Sequence, residues 1–227
     1  MNDFVQMLRT NRMSLIMSLS LNDPALSRAA FEAGADAVKV HANLVHRASG
    51  RSFGTVAENA PLYRQMLAEA RGPMGLVPGA DAGVVLQEAD AACALGFSFF
   101  SMYAHHVPAA LPRRGQALMA ACDGSYGLAE VVAFAQTGVD VLEASVIPGD
   151  EYGQPLNLRD VLRYRLLCEG TTLPVVVPTQ RAVRPEDLPA LADAGVKAVM
   201  VGAVVTGEEQ ETIVRTVSAF REAIEKL

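Results

Sequence analysis
Four times along this chain a glycine closes one segment and an apolar run begins almost at once. The copies are Ala33-Gly-Ala-Asp-Ala-Val-Lys-Val40, Leu95-Gly-Phe-Ser-Phe-Phe100, Thr137-Gly-Val-Asp-Val-Leu142 and Ala194-Gly-Val-Lys-Ala-Val-Met-Val201. Glycine tolerates the left-handed conformation that ends a helix, and a run of β-branched and aromatic residues behind it reads as a strand. One helix-to-strand joint repeated at intervals marks a repeat architecture. The last copy is also the most complete. Pro174-Val-Val-Val-Pro-Thr-Gln180 precedes it, Arg184-Pro-Glu-Asp187 starts its helix, and Gly202-Ala203-Val204-Val205 follows its strand. That is strand, loop, helix, turn, strand, loop: a complete βαβ unit.

The same grammar extends to the rest of the chain. Strands are expected at Ser14–Ser20, Asp36–His41, Met74–Pro78, Phe97–Tyr103, Ala117–Asp123, Val139–Val146, Val175–Pro178 and Val196–Val201. Helices are expected between them, one capped by Asn22-Asp23 with Pro24 in its first turn, and a last one from Glu208 to Leu227. Asp3 to Thr10 reads as a short amphipathic helix covering one end. Ala104 to Gln116 carries two prolines and two arginines, so the fourth of the connecting helices should be short or missing. The strands are continuous apolar runs, as a parallel sheet buried on both faces requires. Eight near-equal units, with no Gly-x-Gly-x-x-Gly after the first strand, favour closure into a (β/α)8 TIM barrel over an open doubly wound sheet. Residues 1–227 are expected to form that single domain.

Composition narrows the function classes. An apolar content of 51% and a mean hydropathy of +0.22 exclude a disordered chain, yet no apolar run approaches the ~20 residues of a membrane span. A net charge of -6 argues against nucleic acid as a partner. Cys93, Cys122 and Cys168 are widely spaced without a C-x-x-C partner, which suits a reducing, cytoplasmic setting. The expected partner is a small molecule, with neither cofactor nor metal, and assembly into a homo-oligomer stays open.

In such a barrel the loops after the strands build the active site, so polar residues at strand C-terminal ends are the candidates. The N-terminal strand ends read as nearly devoid of ionisable groups. Period-two alternation places Ala37, Lys39 and His41 on one face of strand two, with Val38 and Val40 on the helix-facing side. Lys39 and His41 should therefore point inward. Burial favours the neutral form of an amine, which can take a proton or form a Schiff base. The alternative for Lys39 is a structural ion pair. Glu143 sits inward on strand six, in phase with Val141 and Ser145, as a proton carrier or as the partner of Lys39. Asp123 ends strand five, either catalytic or as a cap of the next helix. Ser18, His41, Asn43 and Gln180 are candidate substrate contacts.

The loop from Ala42 to Thr55 carries His46, Arg47, Ser49 and Arg51 and could cover an anionic substrate, or simply be a solvated loop. His105-His106 lacks a third spaced ligand for a metal. At the chain's end, Gly202 and Ala203 have the small side chains that let a backbone approach a phosphate closely, and Thr206 is expected to cap the final helix. Arg181 could add a cationic fork on the strand-seven side.

Three segments together resemble a known group: Gln6-Met-Leu-Arg running into Ser14-Leu-Ile-Met-Ser18, Leu118-Met-Ala-Ala-Cys-Asp123, and Arg181-Ala-Val-Arg-Pro-Glu-Asp-Leu188 with Ala194 to Val205. They are similar to the ribulose-phosphate-binding (β/α)8 barrel superfamily, and within it to the N-acetylmannosamine-6-phosphate 2-epimerases. The resemblance implies an isomerase or epimerase of a phosphorylated sugar, working by proton transfer beside a carbonyl. Two features depart from the epimerase pattern. Leu76-Val-Pro78 offers no lysine after strand three, and Thr179-Gln180-Arg181 stands where Glu-Gly-Arg is expected. Lys39 and Glu143 would then carry the chemistry from other strands. An aldolase-type lyase using Lys39 as Schiff-base amine and a non-catalytic phosphometabolite-binding barrel are the other expectations.

Overall fold
The computed structural model describes residues 2–111 and 113–227. The barrel strands are β1 (Ser14–Ser18), β2 (Ala37–His41), β3 (Met74–Val77), β4 (Phe99–Tyr103), β5 (Ala117–Cys122), β6 (Val141–Ala144), β7 (Val175–Pro178) and β8 (Ala198–Val201). All pair in parallel, each with its sequence neighbours, and β1 pairs with β8 to close the ring. The chain is a (β/α)8 TIM barrel. The helices are α1 (Asp3–Thr10), α2 (Pro24–Glu32), α3 (Val56–Glu69), α4 (Ala82–Leu95), α5 (Leu128–Ala133), α6 (Leu158–Gly170), α7 (Leu188–Asp193), α8 (Ala203–Thr206) and α9 (Gln210–Ile224). After β4 the connecting helix shrinks to a single 3-10 turn, Ala104–His106, as the prolines of that segment predict; one of them, Pro112, lies outside the described residues.

Local chemistry explains the element ends. Asp23 accepts from the N–H groups of Ala25 and Leu26 and starts α2 with Pro24 behind it. Asp81 does the same for α4, and Gly96, at φ 87°, ends that helix in the left-handed conformation. Thr55 and Glu58 close a reciprocal capping box at the start of α3. Thr206 does not cap the final helix. Gly207 turns the chain at φ 63°, so Thr206 closes α8 and Glu209 becomes the N-cap of α9.

Inward side chains stack in layers. The lower ones hold Ile16, Ala37, Phe99, Met119, Val141, Val176 and Met200, sealed from below by Phe4, Val5 and Leu8 of α1. Phe4 stacks on Phe99 with ring centroids 3.7 Å apart. Gly75 faces that ring, and a Cβ there would collide with it, so the third strand gives up a side chain to make room. The outward valines, leucines and Phe100 pack against the helices as a second, continuous core.

The lower rim is not bare of charge. Asp36 accepts from the N–H of Leu15 (2.7 Å) and from Arg221 (2.6 Å), while Arg221 also donates to Gly34 O. Asp140 repeats the arrangement with Leu118 N (2.8 Å) and Arg113 (2.7 Å), Arg113 also donating to Gly138 O. The aspartate in each Gly-x-Asp joint therefore clasps the preceding strand and one arginine.

Candidate functional site
The loops after the strands surround a cavity of about 250 Å³ at the upper end of the barrel. Its floor is an ion pair across the ring. Lys39 Nζ stands 3.5 Å from Glu143 Oε2, with both side chains 8% exposed. Strand parity explains the meeting. Lys39 lies one inward step above Ala37 on β2 and Glu143 one inward step above Val141 on β6, so both sit just above the apolar plug. Ser101 Oγ donates to Glu143 Oε2 (2.9 Å) and Ser145 Oγ to Oε1 (2.8 Å). A carboxylate held by two hydroxyls and an ammonium has a fixed orientation, the first requirement of a proton-transfer group.

His41 lies one inward step above Lys39 and lines the same cavity. It is 2% exposed and its Nδ1 has no hydrogen-bond partner among the described residues. Burial, then the neighbouring His46 and Lys39, push its pKa well below the usual histidine value, so the ring is neutral near pH 7. Its ring packs 4.6 Å from His46 and 5.1 Å from Phe53. His46 is also pushed down, to about 4, by burial and then by Lys39. Tyr103, on the far wall, has its phenol pushed up, chiefly by burial.

The loop Ala42–Thr55 is more ordered than its composition implies. Leu44–Val45 and Ser52–Phe53 pair as an antiparallel ribbon, with Arg47 in its turn, over the side of the cavity. Asn43 starts the ribbon at φ 53°, and its side chain donates to Pro78 O. It is thereby spent on loop geometry and does not line the cavity. Arg51 ties the ribbon to Glu208, at the start of the last helix (2.5 Å).

Gly202, Ala203 and Val204 line the cavity opposite β4. Gly202 N–H donates to Thr179 Oγ1 (3.2 Å), which anchors the turn into α8. The first N–H groups of a helix have no intrahelical acceptor, so those of Ala203 and Val204 suit an anion. Gln180 also lines the cavity; its amide accepts from Ile147 N–H and donates to Tyr152 Oη (2.6 Å).

Three predicted residues stand apart from the cavity. Asn43 is one, for the reason just given. Asp123 Oδ1 accepts from the N–H and hydroxyl of Ser125 (2.8 and 2.5 Å), closing a turn, and it faces a separate groove beside α5 and α6. Those bonds hold its carboxyl below the usual range. Arg181 is buried behind the strand-seven loop, where Nε donates to Asp160 (2.8 Å) and Nη2 to Glu151. Thus Lys39, Glu143, Ser18, His41, Gln180, Gly202 and Ala203 come together around one cavity, whereas Asp123, Asn43 and Arg181 do not join them. Ser101 and Tyr103 are site residues that the sequence reading misses. The parity of β4 carries the signal, since Phe99, Ser101 and Tyr103 share one face.

Fold and site together define a (β/α)8 barrel with a charged upper cavity. No protein-family profile matches the chain, and no curated protein does. Solved structures resemble it in shape. Thiamine phosphate pyrophosphorylase from Pyrococcus furiosus is 16% identical, with a TM-score of 0.67 over 95% of this chain and 97% of that one. KGPDC from Streptococcus mutans, solved as a ligand complex, is 12% identical, with a TM-score of 0.69 over 95% and 99%. Tryptophan synthase from M. tuberculosis is 13% identical, with a TM-score of 0.64 over 97% and 96%. These likenesses establish the shared barrel.

Proposed function
We propose that the protein is an enzyme acting on a phosphorylated sugar, an isomerase or epimerase that moves a proton beside a carbonyl. The observation that carries this reading is the buried Lys39–Glu143 pair at 3.5 Å, open to the same cavity as the Gly202–Val204 turn. The phosphate would rest on the N–H groups at the start of α8. A thiamine phosphate pyrophosphorylase among the similar barrels supports a phosphorylated ligand.

Glu143, already aligned by Ser101 and Ser145, removes the proton from the carbon next to the carbonyl, and the C–H electrons pass into a carbon–carbon double bond. The carbonyl oxygen gains the charge, which the Lys39 ammonium stabilises and can protonate. Return of the proton to the other face or the neighbouring carbon gives the epimer or isomer. Neutral His41 offers a hydrogen bond to a hydroxyl without adding charge. Arg181, engaged with Asp160 and Glu151, is left out of the phosphate contact.

A second reading, an aldolase-type lyase, draws on the same pair. In that reading Lys39 would give up its ion pair with Glu143, pass its proton on, and attack the substrate carbonyl as the neutral amine. One experiment separates the readings. Candidate sugar phosphates are incubated in D2O and followed by proton NMR, with and without borohydride. Deuterium exchange beside the carbonyl, abolished by Glu143→Gln and Lys39→Met, is expected. A borohydride-trapped adduct on Lys39 would replace the isomerase by the lyase. Binding of these ligands with neither exchange nor adduct would leave a non-catalytic binding barrel.

A further inference from the structure
The phosphate end assigned above fixes a direction across the cavity, and the carboxylate end proposed here rests on it. Because the strands follow one another around a closed ring, β2 faces β6 and β4 faces β8. The first diameter carries Lys39 and Glu143. The second runs from the Gly202–Val204 turn to Tyr103. A molecule laid along the second diameter crosses the first at its middle, with its phosphate at β8, its central carbons over the ion pair, and its far end at the β4 side.

The far end has a cation waiting. Arg47, in the turn of the ribbon, lines the cavity, and among the described residues no carboxylate lies within ion-pair range of it. Its stem passes beside Gly149 in the loop after β6, so the side chain reaches from the ribbon toward that wall. Tyr103, at the end of β4, lines the same cavity, and the Arg47 charge bears on its phenol. Lys39 is already committed to Glu143, and His41 and His46 are held neutral.

We propose that the substrate carries a carboxylate at the end opposite its phosphate, and that Arg47, with the Tyr103 hydroxyl beside it, receives that carboxylate. The substrate class is then a phosphorylated sugar acid or keto acid. The guanidinium fork matches the planar, two-oxygen edge of a carboxylate.

Calorimetric titration of the full chain with 3-phosphoglycerate, glycerol 3-phosphate and inorganic phosphate tests this. The wild type should prefer 3-phosphoglycerate over glycerol 3-phosphate by about tenfold, the discrimination expected of one charge-assisted contact. In Arg47→Gln that ratio should fall to about one, and in Arg47→Lys to an intermediate value. A wild-type ratio near one, or a ratio unchanged in Arg47→Gln, overturns the carboxylate assignment while leaving the phosphate end intact. If none of the three ligands binds, the phosphate reading fails and the carboxylate end falls with it.

Discussion

Replacing Lys39 by Met removes one charge of the floor and leaves the other in place. At 3.5 Å the Coulomb attraction of the pair, at an effective dielectric of about 20, is on the order of 5 kcal/mol before desolvation is set against it. Glu143 would keep its two serine donors, yet its carboxylate would sit 8% exposed without a counter-charge. Breaking a buried pair from one side typically costs about 3–5 kcal/mol, and the hydroxyls should hold the loss near the lower figure. Glu143→Leu strands the ammonium and should cost about the same. The double variant strands neither charge, and apolar replacement of a buried pair is often close to neutral. With each single costing about 3 kcal/mol and the double between neutral and about 3, the coupling should be at least about 3 kcal/mol. The cycle is read by urea unfolding at neutral pH, followed by circular dichroism, with the slope on urea constant across the set. If the four stabilities add to within about 0.5 kcal/mol, the two charges do not share a site and the proposed chemistry loses its basis.

Arg181→Met should lower stability by about 3 kcal/mol, because it abandons Asp160 in a site 4% exposed, while affinity for inorganic phosphate stays unchanged. Urea unfolding and calorimetry check both halves; lost phosphate affinity at undiminished stability would return Arg181 to the binding site. A further expectation concerns acid. His46 takes up its proton only near 4 in the fold but near 6.5 in the unfolded chain, so the unfolded state binds more protons between those values. Stability from this source is complete above 6.5 and is lost as the pH falls toward 4. His46→Gln should flatten the fall of the urea midpoint across that interval, and an equally steep fall in the variant would show that other groups cause it.

The barrel is legible in the sequence because its joints are local. A glycine that must turn left-handed, as Gly96 and Gly195 do, and an apolar run behind it announce strand and helix without knowledge of their neighbours. Strand parity carries further, since alternation along Ala37–His41 and Val141–Ser145 is enough to aim Lys39 and Glu143 at one interior. What parity cannot give is competition among partners. Arg181 reads as a free cation, but the turn into α6 buries Asp160 against it. Asp123 is a strand-end carboxylate whose nearest donors, in Ser125, are two residues away. The ribbon around Arg47 escapes for another reason. Its strands are two residues long, too short for periodicity, and its order comes from Asn43, Phe53 and the Arg51–Glu208 tie. The clasps of Asp36 and Asp140 are printed in the repeated Gly-x-Asp, but their arginines come from segments far away in the chain or across a loop.

The aromatic plug of Phe4 on Phe99 turns the barrel into a blind well. In the proposed reaction nothing formed above Lys39 can drain through the base, so product would leave along the path its precursor took, past the ribbon. Traffic through that mouth is one-at-a-time, and product should compete directly with incoming substrate rather than bind beside it.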